Sequence, residues 1–204
     1  MSSFDEKAAT WDDDPAKVER ARVVAAAILD AVPVDGTTRL LEYGAGTGLV
    51  TQAVRHRVGP VTLADTSAGM RDVMAAKVAA GALPDARISG LDVTADPVPD
   101  ERYDLVVSVM TLHHLHDLDR ALGAFAELLA PGGHLCVVDL EEEDGSFHGE
   151  GFDGHHGFER GDLTARLEAT GFADVAITTV HHVVRDGSSY PLFLATARRR
   201  TPAG

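Results

Sequence analysis

The stretch Arg39–Leu49, RLLEYGAGTGL, constrains this chain more than any other. Two leucines, Leu40 and Leu41, lead into an acid, Glu42, and glycines then fall at alternate positions, Gly44, Gly46 and Gly48. The pattern predicts a buried parallel strand that ends in a tight turn and opens a helix. Glycine lets the backbone turn sharply and lets a ligand approach with no Cβ in the way. The following helix would offer that ligand its unpaired N–H groups and the positive end of its dipole. No Gly-Lys-Ser/Thr follows, which argues against a nucleotide-triphosphate loop. Glu42 suits a cationic group such as an amino-acid ammonium better than a pyrophosphate.

The rest of the chain alternates in the same manner. Phe4–Asp14 carries Trp11 but no clear period, and reads as an irregular arm over residues 1–14. Asp14-Pro15 supplies an N-cap and a first-turn proline for a helix that Pro33 ends. Leu49–Arg57 reads as a helix, and Pro60–Asp65 as a second strand ending in an acid. Asp65 lies 21 positions after Gly44, near the spacing at which a dinucleotide fold places its ribose-binding carboxylate. Ser67 can cap the next helix, Ser67–Ala80, leaving Asp65 for a ligand. Ala86–Asp92 is a third strand ending in an acid, and Tyr103–Met110 a strongly apolar fourth. After Thr111-Leu112-His113-His114-Leu115, Asp117 caps a helix, Leu118–Ala130, which Pro131-Gly132-Gly133 stops before a fifth strand, His134–Leu140. A helix over Asp162–Thr170 precedes two strands, Ala173–Val184 and Ser189–Arg198, joined by a hairpin signal at 185–188.

The acid followed by alternate glycines resembles motif I of the class I S-adenosylmethionine (SAM) methyltransferases. The run from Tyr103 to Leu140 is similar to their strand, HHL turn, helix, PGG and strand, and FDEKAATWDDDP resembles the opening arm of small-molecule members. The resemblance covers Leu40–Leu140 well and the two ends loosely. It departs at Tyr43, a slot these enzymes often fill with Asp, Val, Leu or Ile, and after Asp92, where the segment is short. It implies an α/β fold: a Rossmann-like, doubly wound, seven-stranded, mostly parallel sheet with a C-terminal antiparallel hairpin, as one domain over 1–204. It implies SAM as methyl donor, held by Glu42, Gly44, Ala45, Gly46, Gly48, Asp65, Thr66, Met70, Asp92, Val93 and Ser108, with Trp11 closing over the site. Three acids at or near strand ends can together read an ammonium, a ribose and an adenine. Met70 reads equally well as core, and Trp11 as surface packing.

The expected reaction is transfer of the SAM methyl to an O, N or S nucleophile of a small molecule, leaving S-adenosylhomocysteine. A neutral nucleophile must lose a proton, and His113 or His114 is the candidate base; packing at a helix entry is the other reading of that pair. Residues 141–158 hold five glycines, three histidines and six acids. They read as a lid over the acceptor, as a solvated loop, or as a metal site built on His148, His155 and His156. His181 and His182 read as structural. Cys136 is a lone thiol in an apolar run, which excludes an internal disulfide.

A net charge of −14 disfavours nucleic acid and anionic membranes as partners. No apolar run reaches the roughly 18 residues that span a bilayer, so the expected location is the cytoplasm, as a monomer or homodimer. Two rival functions stay open: a nicotinamide-dependent oxidoreductase and a non-catalytic SAM-binding or partner protein.

Overall fold

The computed structural model describes residues 3–201. The chain folds as two compact units, Met1–Asp92 and Val93–Gly204. The first contains α1 (Ser3–Lys7), a 3-10 helix (Ala8–Asp13), α2 (Pro15–Ala31), β1 (Leu40–Tyr43), α3 (Leu49–Val54), β2 (Val61–Ala64), α4 (Ala68–Ala79) and β3 (Arg87–Ser89). The second contains β4 (Tyr103–Val109), a 3-10 helix (Leu112–His114), α5 (Leu118–Leu128), β5 (Leu129–Leu140), α6 (Arg160–Ala169), β6 (Phe172–Arg185) and β7 (Ser188–Arg199). The seven strands form a sheet in the order β3-β2-β1-β4-β5-β7-β6. This is the expected α/β arrangement, mostly parallel with an antiparallel C-terminal end.

In the first unit, β1 pairs in parallel with β2, and β2 with β3. Every residue of β1 and β2 is buried, as strands covered on both faces require. Asp14 caps α2 by accepting from the Ala16 N–H at 2.9 Å. That helix packs inward through Ala21, Val24, Ala25 and Ile28, the 3.6-residue stripe visible in the sequence.

In the second unit, α5 crosses between the parallel pair β4 and β5, burying Leu118, Leu122, Phe125 and Leu128. Strand β7 pairs antiparallel with both β5 and β6. Asp186 (φ 51°) and Gly187 (φ 82°) form the two-residue turn between them, the positive-φ pair that a tight hairpin of this twist demands. Cys136 is buried, and burial pushes its thiol up to about 12, so it is inert at neutral pH.

Several expected boundaries are corrected. The arm is not irregular: its described residues form α1 and a 3-10 helix, held by tertiary bonds that a local pattern does not carry. The helix of the HHL region ends at Leu128, and β5 begins at Leu129, ahead of Pro131-Gly132-Gly133. That triplet shifts the pairing with β4 between Tyr103 and Leu105 instead of separating helix from strand. The third strand is three residues long, which leaves Asp92 beyond its end.

Candidate functional site

The first unit's candidate site is the turn after β1. The N–H groups of Gly44 and Ala45 both donate to the Ala64 carbonyl, at 2.8 and 3.0 Å, tying the turn to the end of β2. Gly44, Gly46 and Gly48 have φ of 69°, 56° and 80°, a region that L side chains enter only with strain. Asp65 spans the turn and the start of α4. Its Oδ2 accepts from the Gly46 N–H at 2.8 Å and its Oδ1 from the Ser67 N–H at 2.9 Å. An ionised carboxylate has about four lone-pair sites, so these bonds leave capacity for a ligand. Burial raises the Asp65 pKa, and the two backbone bonds work against it. Arg71 donates to the carbonyls of Asp65 (2.7 Å) and Thr66 (2.8 Å) and so fixes this backbone.

The remaining candidates of this unit differ in setting. Thr66 is exposed and Ala45 buried. Met70 is 1% exposed and belongs to the core; its N–H donates to Ser67 Oγ, which is the expected cap. Glu42 is 2% exposed. Its Oε2 accepts from both the N–H (3.0 Å) and the hydroxyl (2.5 Å) of Thr51 in α3. Burial is the largest cause of a Glu42 pKa raised to about 7. The carboxylate is thus engaged with the helix behind the turn. Asp92 is half-buried.

The arm lies over this turn. Asp5 Oδ1 accepts from the Ser67 hydroxyl (2.6 Å) and the Gly69 N–H (3.0 Å). A Cβ on Gly69 would come within 2.8 Å of the Asp5 carbonyl, so glycine is required for that approach. Asp12 accepts from the Thr47 hydroxyl and pairs with Lys77 at 2.6 Å; Lys77 also donates to the Thr47 carbonyl at 2.8 Å. The indole nitrogen of Trp11 lies 3.9 Å from where a Gly46 Cβ would sit, and the Lys17 ammonium stands 4.2 Å from the Trp11 ring centroid.

The second unit's candidates lie before, within and after β4. Val93 and Ser108 are buried, and the Ser108 hydroxyl has no hydrogen-bond partner among the described residues. His113 is buried, and its Nδ1 lies 2.6 Å from Asp139 Oδ1. A carboxylate only accepts, so Nδ1 carries the proton and the lone pair sits on Nε2. Asp139 also accepts from the N–H groups of His113 (3.3 Å) and Leu140 (2.8 Å). The His114 ring lies 4.1 Å from that of His113.

Residues 141–158 return to these histidines. The Gly154 Cα position sits so close to the His113 carbonyl that a Cβ there would lie within 2.2 Å of it. The His155 N–H donates to the same carbonyl at 2.8 Å, and His155 Nε2 lies 2.9 Å from the Leu115 carbonyl. His148 stacks on Phe152 at 3.8 Å between centroids. Desolvation, then the electrostatic effect of the neighbouring His113, lowers the His148 pKa to about 4. Of the three readings of this loop, the metal site needs His148, His155 and His156 together; among the described residues, His148 instead groups with His113 and His114, His155 is bonded as above, and His156 is exposed beside Glu143 at 3.3 Å. His181 is half-buried and His182 exposed on β6.

A family model described as a methyltransferase domain matches residues 11–177. The chain belongs to this methyltransferase family. The bifunctional biotin biosynthesis protein of Bordetella avium is 35% identical over 135 residues, covering 65% of this methyltransferase and 27% of that protein. An uncharacterized methyltransferase of Mycobacterium bovis is 33% identical over 112 residues, 55% of each chain. The chain therefore spans less than two thirds of these relatives' lengths. Among solved structures, the N-methyltransferase NodS of Bradyrhizobium japonicum, in complex with S-adenosyl-L-homocysteine, superposes with a TM-score of 0.73 at 20% identity, over 97% of this chain and 96% of that one. The cyclase SpnF superposes at 0.71 with 19% identity, over 88% and 80%. The family match displaces the nicotinamide oxidoreductase reading. Among the described residues, no helix of the methyltransferase is long and apolar enough to cross a membrane.

Sequence reasoning missed Asp139, Asp12 and Asp5. Asp139 carries a usable signal: it is an acid near the carboxyl end of a buried strand, the same feature that singled out Glu42, Asp65 and Asp92. Asp12 and Asp5 sit in a polar arm where nothing distinguishes them from solvated acids.

Proposed function

We propose that this methyltransferase transfers the methyl group of SAM to an oxygen, nitrogen or sulfur nucleophile of a small molecule. The observation that carries the reading is Asp65, whose carboxylate joins the positive-φ glycine turn to the start of α4. The residues there fit SAM: a Cβ-free turn at Gly44, Gly46 and Gly48 for the methionine part, lone pairs on Asp65 for the ribose hydroxyls, and the exposed Thr66 toward the adenine, while Met70 stays in the core. Asp92 would hold the adenine edge. Ala45 lends backbone only. Glu42 reaches an ammonium only if it shifts from Thr51 or acts through water, and so acts chiefly by fixing the turn.

SAM supplies an electrophilic methyl on a sulfonium, so no covalent enzyme intermediate is required. The chain's own contribution is position and exclusion of water. Trp11, over Gly46, serves the exclusion. His113 and His114 are the candidate bases, and Asp139 holds His113 in the tautomer that presents Nε2 to an acceptor proton. The negative charge supports a small acceptor over nucleic acid and fits a cytoplasmic enzyme.

The test is methyl transfer from radiolabelled SAM into host-cell extract, fractionated into small molecules, protein and nucleic acid. Label in the small-molecule fraction is expected. Label confined to protein or nucleic acid overturns the acceptor class. Failure of both SAM and S-adenosylhomocysteine to raise the melting temperature overturns the donor.

A further inference from the structure

His113, His114 and His148 bring one ring nitrogen each to within 4.8 Å of one another, inside the second unit. They come from a 3-10 helix and from a loop more than thirty residues later. We propose that these three imidazoles form a site for a divalent first-row transition ion, with Asp139 orienting His113 from behind.

Three observations support the site independently. The first is the convergence itself. An ion about 2.0–2.1 Å from each nitrogen needs them roughly 3.4 Å apart, so closure takes ring movements that draw the nitrogens together by up to about 1.4 Å. His148 is placed to make them: it is part-exposed and is followed by Gly149 and Gly151, whose Cβ positions are open. The second is the Asp139 carboxylate on His113 Nδ1 at 2.6 Å. Metal-bound histidines commonly donate their second N–H to a carboxylate, which fixes the ring and makes the ligating nitrogen more basic. The third is His148 Nε2, which is buried and has no hydrogen-bond partner. Stacking on Phe152 accounts for where the His148 ring lies, but not for a buried polar nitrogen left unsatisfied.

The donor chemistry selects the ion. An all-imidazole set suits zinc, cobalt, nickel or copper, and not magnesium or calcium, which take oxygen ligands. Three protein ligands leave a fourth position for water. A ligated His113 Nε2 has no lone pair for a proton, so ion binding and the base role exclude each other at that atom.

The test is titration of the metal-free full chain with cobalt(II), read by visible absorption, followed by displacement with zinc(II) and calorimetry. The result expected is one equivalent bound with a dissociation constant at or below the micromolar range. His148→Ala and His114→Ala should each weaken it by about tenfold or more, and His182→Ala should not. Circular dichroism confirms that the variants fold. Absence of both a visible band and zinc binding heat overturns the proposal. So does binding that survives His148→Ala, which would put the ion on other surface groups. Neither readout needs a methyl donor, so failure here is separable from failure of the methyl-transfer reading.

Discussion

The two candidate regions are built by opposite means. Around the glycine turn, the work is done mostly by backbone N–H groups, and the residues from Glu42 to Met70 are close in sequence. Around His113, it is done by side chains that a strand (Asp139) and a returning loop (His148) bring in from a distance. A backbone-built site leaves a fixed spacing, because glycines and acids must fall at set offsets from a strand end. A side-chain-built site leaves no spacing, because the loop's path decides which residues arrive. Variants that cut one region and spare the other test that contrast.

The largest effect is expected in the second region. Asp139→Ala removes the acceptor of three donors in a fully buried place and leaves them unsatisfied. The cost is about 3 kcal/mol, or roughly 10 °C in melting temperature for a chain of this size. The increase in melting temperature on adding SAM should persist. An unchanged melting temperature would mean that the His113–Asp139 pair does not organise its unit.

Next is Glu42→Gln, which tests the first region through pH. Glu42 has a folded pKa raised from 4.5 to about 7. The folded chain therefore binds the proton more tightly than the unfolded chain does. That contribution to stability is fully present below pH 4.5 and is lost as pH rises through about 7. The amide is neutral throughout and keeps an acceptor for Thr51. Glu42→Gln should match wild type at pH 4.5 and exceed it by up to about 3 kcal/mol at pH 8.5, measured by urea unfolding at both. Tighter folding with unchanged SAM affinity would make Glu42 a strut of the turn; weaker SAM affinity would restore the expected ammonium contact.

The legibility of the chain follows the same division. The buried strands, the glycine turn, the Ser67 cap and the terminal hairpin were readable, because each rests on a local rule: buried runs, positive-φ glycines, a hydroxyl before a helix. The helical arm was not, since α1 and its 3-10 extension lack an apolar stripe and depend on Asp5 and Asp12 reaching residues 35 or more positions away. The grouping of His148 with His113 and His114 was not readable for a related reason. Gly154 and Gly157 approach the backbone of His113 and Glu141; beside them His155 bonds the carbonyls of His113 and Leu115, and it is His148 that groups with His113 and His114. Glycines in the loop read as flexibility in the sequence, but these two serve close packing.

Asp65→Asn should be smaller in stability and specific in function. The amide keeps one oxygen, and its NH2 group must face either the Gly46 or the Ser67 N–H. SAM affinity is expected to fall by roughly tenfold to a hundredfold, about 2 kcal/mol, by calorimetry. Cobalt binding in the second unit should not change. Equal losses in both would dissolve the distinction between the regions.

The smallest expected effect concerns the arm. Asp12→Ala removes the Thr47 bond and the Lys77 pair, but Lys77 keeps the Thr47 carbonyl and Gln52 as partners. Asp12 is a third exposed, so the pair is partly screened and the stability cost should stay below about 1 kcal/mol. The consequence for the ligand should be kinetic. With Asp5 still bonded to Ser67 and Gly69, the start of the arm stays down while Trp11 loosens over Gly46. Release of S-adenosylhomocysteine should then quicken by a few-fold, about 1 kcal/mol in its barrier, with little change in melting temperature. A stopped-flow measurement of release separates the two roles of the arm. Faster release at constant stability makes it a cover on the backbone-built site. Unchanged release with a lower melting temperature makes it part of that site's foundation, and the first turn of α4, which Asp5 bonds at Ser67 and Gly69, then becomes its main point of attachment.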